Sequence, residues 1–500
     1  MSSTAFLHGV EIVEVDTGPR PIQTVKSSVI GVVGTAPDAC PAVPATAIVG
    51  SELTNTSVLM VAALPGVVGN NIQVVLVDPG SASSTLAIST SGTRVEVSLA
   101  TDGDSALIST AIEVVTLIND ADTIVTAAHY GTSDGSGVMK AQNQFLSGGA
   151  SEPFPYNKPV LIAGSQIEAA KLGDTGTLPL AMTAIFNQVG AMVIVVRVEE
   201  GTDDADTTGN IIGGVDENGQ YTGMQAFLGA ECVTGVQPKI LIAPGFTDDQ
   251  CVASALQPIA DRMRAIAPIE GPDTTDEDVI AYRNNFGNKR LYLSDPGVLA
   301  FDTVTSEEIK VSNSAYIAGL IARIDNQLGF WWSPSNQLIY GINGLTRPVD
   351  FTLGDVNSRA NYLNENEVTT IIQQDGYRLW GNRTCSDDPK WAFINVVRTA
   401  DLLNDSLQRE HLWAVDHCIN KTYISDVQAG VNAYIRSLIA MGALLGGKCW
   451  PDPELNTPEK LAAGKVYWNF DFTPPAPAEH MTFQSILTDD YYSIITAEAA

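Results

Sequence analysis

The residues that could do chemistry are few and badly placed for it. A nucleophile needs a nearby base, most often histidine, to take its proton. The five histidines are His8, His129, His411, His417 and His480, and none lies between residues 151 and 370, so no Ser–His–Asp set can be assembled within that stretch. No GxSxG turn occurs there either. His411 and His417 are six apart, which turns them to different sides of a helix, and a shared metal is not expected. Glu199, Glu200, Asp203, Asp204 and Asp206 lie in a Gly/Thr-rich stretch that reads as a solvated loop, not a metal cage. Gly442, Gly447 and Lys448 spell GxxxxGK, but Cys449 stands where a phosphate loop has Ser or Thr, and the stretch ends a predicted helix instead of following a strand. The six cysteines form no CxxC pair, which argues against a zinc site or a disulfide framework. The expectation is no catalytic residue, no cofactor and no metal.

Charge narrows the partners. Against 27 Lys and Arg stand 57 Asp and Glu, a formal net charge of −30, which disfavours binding to a phosphate backbone. Self-association then requires matched patches that overcome general repulsion. No run of about 18 apolar residues suggests a membrane span, and MSSTAFLHGVEIVEVD has neither the basic start nor the apolar core of a secretory signal. No nucleic acid and no membrane insertion are expected, and the chain reads as soluble and cytoplasmic where it is made.

The elements come in a definite order. GVEIVEVD at 9–16 alternates as a strand whose phase slips at Ile12 and Val13, and Pro19 and Pro21 set it apart from the body. SVIGVVGTAPDA at 28–39 has the look of a buried parallel strand. Residues 51–149 are richer in Thr, Ser, Gly and Asp, with short strands and one helical run in which Ile108, Ile112, Val115 and Ile118 form the predicted apolar stripe. From 157 to 350 continuous apolar runs alternate with helical ones, the pattern of a doubly wound α/β domain whose ligand cleft would lie near Gly164, Gly245 and Asp295. Val368 to Arg398 reads as a packing hub, with turns at Gly376 and Gly381, anchors at Tyr377, Leu379 and Trp380, and a strand-like run through Trp391 and Phe393 to Val396 and Val397. Trp331 and Trp332 read as core or interdomain packing. LLNDSLQREHLWAVDHCIN at 402–420 is helical, and a second helix over 425–445 is marked by a Ser425–Gln428 capping box and stopped by Gly446 and Gly447. In the following strand Val466, Trp468, Phe470 and Phe472 share one face.

Each end thus carries a strand-forming segment beside a proline-containing linker. A detached strand satisfies its backbone only by completing a sheet, in its own chain or a neighbour's. Between identical chains such a contact is heterologous and repeats into rings or helical tubes.

Over nearly its full length the chain resembles contractile phage tail sheath proteins, a resemblance carried by GVEIVEVDTGPRPIQTVKSSVIGVVGTAPDA at 9–39, GYRLWGNRT at 376–384, VNAYIRSLIAMGALLGG at 431–447 and KVYWNFDFTP at 465–474. The resemblance implies an arm at 1–27, a subtilisin-like α/β domain at 28–50 and 150–365, and an inserted β-rich outer domain at 51–149. An α+β C-terminal domain at 366–464 and a strand with an extended arm at 465–500 would complete it. It implies intersubunit strand exchange through Val10, Ile12, Val13, Val15, Val466, Trp468, Phe470 and Phe472, with Lys421 and Arg436 facing an inner tail tube. The implied partners are further copies of the chain in stacked rings, the tail tube protein, and the baseplate and tail terminator proteins. The implied location is the virion tail, assembled in the host cytoplasm. The sheath of a headless R-type bacteriocin is the alternative, and an α/β hydrolase or nucleotide-binding enzyme is the rival from another class.

Overall fold

Buried β-branched runs build the central sheet. Ile30–Thr35 is buried along its whole length and pairs in parallel with Ile240–Ile242, Ile30 opposite Ile240. The computed structural model describes residues 22–121, 123–492 and 494, so the strand predicted at Val10, Ile12, Val13 and Val15 lies outside the described residues. The sheet order is Ile240–Ile242, Ile30–Thr35, Met192–Val198, Pro159–Ala163. A parallel bridge from Ile240 to Ile266 leads on to Ala267–Glu270, which pairs in parallel with Leu291–Ser294. A further parallel bridge from Ser294 to Thr369 reaches the hairpin Thr370–Gln373 and Tyr377–Trp380. Ala267, Ile269, Leu291 and Leu293 face a core shared with Val252, Leu256 and Ile259 of the helix Gln250–Met263. The predicted hub therefore sits at the far end of this run of strands, with Leu379 and Ile371 buried and paired.

The chain divides into two compact units, one of residues 1–34, 161–166 and 180–500, the other of residues 35–160 and 167–179. In the first, the C-terminal part packs helices Ile394–Glu410 and Lys421–Ala440 with the antiparallel hairpin Gly446–Pro451 and Trp468–Thr473. Its core holds Leu402, Leu403, Val427, Val431, Tyr434, Ile435 and Leu438, with Trp331 packed against it and Trp332 half-exposed. Three sequence expectations change here. Val396 and Val397 belong to a helix, because the bridge Arg383↔Phe393 ends the extended run just before it. The second helix starts at Lys421, four residues early, because Asn420 caps it by accepting the Tyr423 N–H at 2.8 Å, which leaves Ser425 inside the helix. Gly446 and Gly447 do not stop it. The helix ends at Ala440, Gly442 turns the chain at φ 82°, and the two later glycines begin a strand.

The second unit has its own apolar core, including Met60, Val74, Leu76, Val95, Val97, Val114 and Ile118. The sheet Ala87–Ser91, Arg94–Ser98, Gln73–Val77, Gln142–Phe145 joins the sheet Thr46–Val49, Val58–Ala62, Val125–His129 through bridges Val43↔Ala150 and Thr46↔Ser147. The helix Ala111–Asp120 packs in this core, capped by Thr110 and Glu113 in a capping box. The buried stripe is Ala111, Val114 and Ile118; Ile108 lies before the helix and Ile112 faces out, so the predicted stripe was one position off over its first half. Among the described residues no helix is long and apolar enough to cross a membrane.

Candidate assembly surfaces

The hairpin closing the C-terminal core has two outer edges, and they differ. Asn432, on the long helix, accepts the Cys449 N–H at 2.8 Å and donates to the Cys449 C=O at 3.0 Å, where Gln428 also donates at 3.2 Å. Cys449 therefore directs its backbone away from the partner strand, and that edge is closed by side chains. The register Cys449↔Phe470 then makes this a non-hydrogen-bonded pair, so Phe470, and by period two Trp468 and Phe472, direct their N–H and C=O groups to the opposite edge. Among the described residues no strand pairs with that edge. The aromatic side chains meanwhile pack on the C-terminal core, and Phe470 and Phe472 stack at 5.9 Å. Trp468, Phe470 and Phe472 thus hold a rigid, unpaired strand edge; Val466 precedes the strand and is half-buried.

Segments near both ends of the described chain are held to this part of the first unit. Ile22 and Val25 pack against it, Thr24 and Tyr434 share a hydroxyl hydrogen bond at 2.8 Å, and Val25 N–H donates to Ser406 Oγ at 3.1 Å. A shallow groove of about 490 Å³ runs beside Thr24 to Ser28, Asp325 to Trp331 and Met441. At the other end, Asn395 donates to Pro475 C=O at 3.1 Å and Arg383 clasps Glu479 at 2.8 Å. Beyond Glu479 the chain shows its apolar side chains to solvent, with Phe483 89% and Leu487 99% exposed.

Helix Ile394–Glu410 carries a polar seam. Arg398 pairs with Asp325 at 2.6 Å, Asp401 with Arg290, and Asp405 with Lys239 and with Arg264 at 2.6 Å. Spacings of three and four place all three groups on one helix face. Burial raises the Asp401 carboxyl above its ordinary range despite Arg290 beside it.

The strand ends where a ligand cleft was predicted are occupied by the protein's own groups. Glu270, at the end of its strand, is buried and forms no salt bridge among the described residues; it accepts the Gly245 N–H at 3.0 Å and the Ser314 N–H at 3.3 Å. Burial pushes its carboxyl up to about 7. Asp295, pushed up to about 6 by burial, is paired with Arg347, which also holds Asp276. Because the folded value of Glu270 lies above the unfolded one, its contribution to stability is fully present below about pH 4.5 and is lost as pH rises through about 7. Glu270→Gln is expected to flatten that fall in unfolding free energy between about pH 4.5 and 7, measured by denaturant titration; an unchanged slope would remove Glu270 as its source.

The other candidates resolve into structure. Glu199 and Glu200 lie in the expected exposed loop, whereas Asp203 caps the helix Asp204–Ile212 by accepting the Asp206 N–H at 2.8 Å, so the second half of the acidic run is a helix start. Gly447 and Lys448 lie in a strand, with the Lys448 ammonium 5.2 Å from the Trp450 ring centre. His411 bonds Leu407 C=O at 2.7 Å and His417 meets Trp413 edge-on at 5.7 Å. Lys421 and Arg436 are both exposed on the long helix, roughly 22 Å apart along its axis. The open hairpin edge and the closed Cys449 edge were missed from sequence; the Asn432 side chain was the available signal, a polar residue on the helix face turned to the hairpin.

Three family models match: the phage tail sheath protein central domain over residues 219–385, the phage tail sheath C-terminal domain over 386–488, and the tail sheath protein Gp18 domain III N-terminal region over 144–198. The tail sheath protein of Escherichia phage P2 is 44% identical over 349 residues, covering 68% of this chain and 88% of its own. The chain belongs to the phage tail sheath family. The sheath protein of Burkholderia phage BcepMu is 33% identical and is matched over 97% of this chain and 98% of its own. The sheath complex of an extracellular contractile injection system, PVC, in its contracted state shares the fold, with a TM-score of 0.52 at 19% identity over 68% of this chain and 89% of that one. This sheath protein is therefore a structural component of a phage tail, built on a mixed α/β multidomain fold.

Proposed function

We propose that this sheath protein polymerises into a cylinder around an inner tail tube and contracts once to drive the tube through a bacterial envelope. The open edge at Trp468, Phe470 and Phe472 carries the reading. An unpaired edge on a packed core offers a neighbour's strand hydrogen bonds at once, and a chain whose strand donor and strand acceptor are different segments links head to tail. Val10, Ile12, Val13 and Val15 are the donor strand in this reading, and the hairpin edge is the acceptor. The strand that includes Trp468 to Phe472 pairs with Gly446–Pro451 of its own chain, so the exchange takes place at its outer edge. The exposed segment from Met481 to Tyr492 is the C-terminal arm, covered by a neighbour in the assembly.

Lys421 and Arg436 are tube contacts in this scheme, and the baseplate and tail terminator proteins hold the ends of the cylinder. Assembly takes place in the host cytoplasm, and no step needs a catalytic group. The central domain is a doubly wound sheet. Gln250–Met263 packs on the face of Ala267, Ile269, Leu291 and Leu293, while the alternate residues Glu270 and Ser294 bond Ser314 and Asn313 of the helix Asn313–Gln327, on the other face. The polar seam holds the C-terminal and central regions in one register. An extended cylinder held by a kinetic barrier can then shorten ring by ring while the exchanged strands keep neighbours joined.

Ending the chain at Glu479 is expected to prevent long cylinders in negative-stain micrographs while leaving far-UV circular dichroism unchanged, because the removed apolar groups are exposed in the monomer. Cylinders of normal length from that truncation would show that the arm is not needed for assembly.

A further inference from the structure

The second unit ends in two sheet edges that are treated in opposite ways. At Val125–His129, Asn119 accepts the Ala127 N–H and donates to the Ala127 C=O, both at 2.8 Å, and Thr123 donates to the Val125 C=O at 2.6 Å. Side chains close that edge against another strand. At the other end lies Ala87–Ser91, outermost in its sheet. Across the two-residue turn Gly92 and Thr93, Ser91 lies opposite Arg94, so Ser91, Ser89 and Ala87 exchange hydrogen bonds with the strand Arg94–Ser98. Ile88 and Thr90 therefore direct their backbone N–H and C=O outward, and the residues around them are exposed or half-buried. None of the usual guards protects it: residues 83–93 contain no charge and no proline.

We propose that this edge is a self-docking surface, on which two copies of the chain pair their Ala87–Ser91 strands antiparallel about Ser89. The strand is complementary to itself. In that register Ile88 exchanges hydrogen bonds with Thr90 of the second copy, pairing two β-branched side chains, while small Ala87, Ser89 and Ser91 line the other face. Charge favours a second copy as the occupant: at a net charge of −30, two chains meet with least repulsion where neither carries charge, and positions 79–93 are uncharged. The contact is two-fold, so it cannot repeat along a polar cylinder of the kind proposed above. It joins free chains, or chains of two different cylinders, side by side. The three matching family models begin at residue 144, so most of this unit lies outside what they describe.

The test is Ser89→Cys in the full chain under mild oxidation, with the wild type as control for the exposed Cys40, Cys232, Cys251 and Cys418. Opposed residues of a non-hydrogen-bonded pair have Cα atoms about 4.5 Å apart, within disulfide reach. Peptide mapping is expected to find a 89–89 link between chains. Its yield should fall about ten-fold when Thr90→Pro removes one outward donor from each copy, and similarly with Thr90→Lys, which keeps the donor and brings two charges together. In the wild type, amide exchange at Ile88 and Thr90 should slow as concentration rises. Absence of the 89–89 link, a link equally abundant in both Thr90 variants, or exchange independent of concentration would overturn the proposal. None of these readouts requires cylinders, so failure of the sheath mechanism would leave the test intact.

Discussion

Deleting residues 1–20 is expected to abolish cylinder formation and leave a folded monomer. The linker that follows is independently anchored. Ile22 and Val25 pack on the C-terminal core, Thr24 bonds Tyr434, and Arg398 donates to Ser27 C=O at 3.4 Å, and none of these contacts is removed by the deletion. In the proposed arm mechanism, the deletion removes the donor strand for the open edge at Trp468, Phe470 and Phe472. Size-exclusion chromatography with negative-stain microscopy reads the result, and cylinders of ordinary length from the truncated chain would sink the arm mechanism. A synthetic peptide of residues 9–16 added in trans is expected to protect the Phe470 and Phe472 amides from exchange, locating the acceptor apart from any question of assembly.

Asp401→Ala is expected to cost about 3–5 kcal/mol of unfolding free energy. Asp401 and Arg290 are both buried, and burial already raises the Asp401 carboxyl, so the pair itself adds little net stability. Removing one member is a different matter. Arg290 keeps only Asp261, at 3.3 Å and half-exposed, and a buried guanidinium is left largely uncompensated. Replacing both, as Arg290→Met with Asp401→Leu, is expected to recover most of the loss. Denaturant titration of the two singles and the double gives the coupling directly, and a double variant as unstable as Asp401→Ala would assign the loss to packing instead of charge.

The parts legible in the sequence were those set by short-range pattern. The run SVIGVVGT formed a buried parallel strand, and the tail strand formed at Trp468–Thr473 within the predicted alternation, with Val466 left before it, because period and burial are properties of a few consecutive residues. Element ends were less legible. The long helix starts at Lys421, capped by Asn420 and not Ser425, since either residue type can cap and local sequence does not choose between them. Val396 and Val397 have strand propensity, yet they lie in a helix that buries Val397 along with Ile394, Leu402 and Leu403, and tertiary burial overrode the local preference.

By itself the sequence determined the chemical character of this protein: strongly acidic, without a histidine between residues 151 and 370, and with the stretches that resemble a sheath. Only the tertiary structure decided which strand edges are open. Trp468, Phe470 and Phe472 are available because Asn432, from a helix 17 residues upstream of Cys449, closes the opposite edge. Ala87–Ser91 is available while Val125–His129 is shut by Asn119 and Thr123. Whether a backbone group is free depends on which side chain reaches it through space, and side-chain reach is set by packing, which no local pattern of residues encodes.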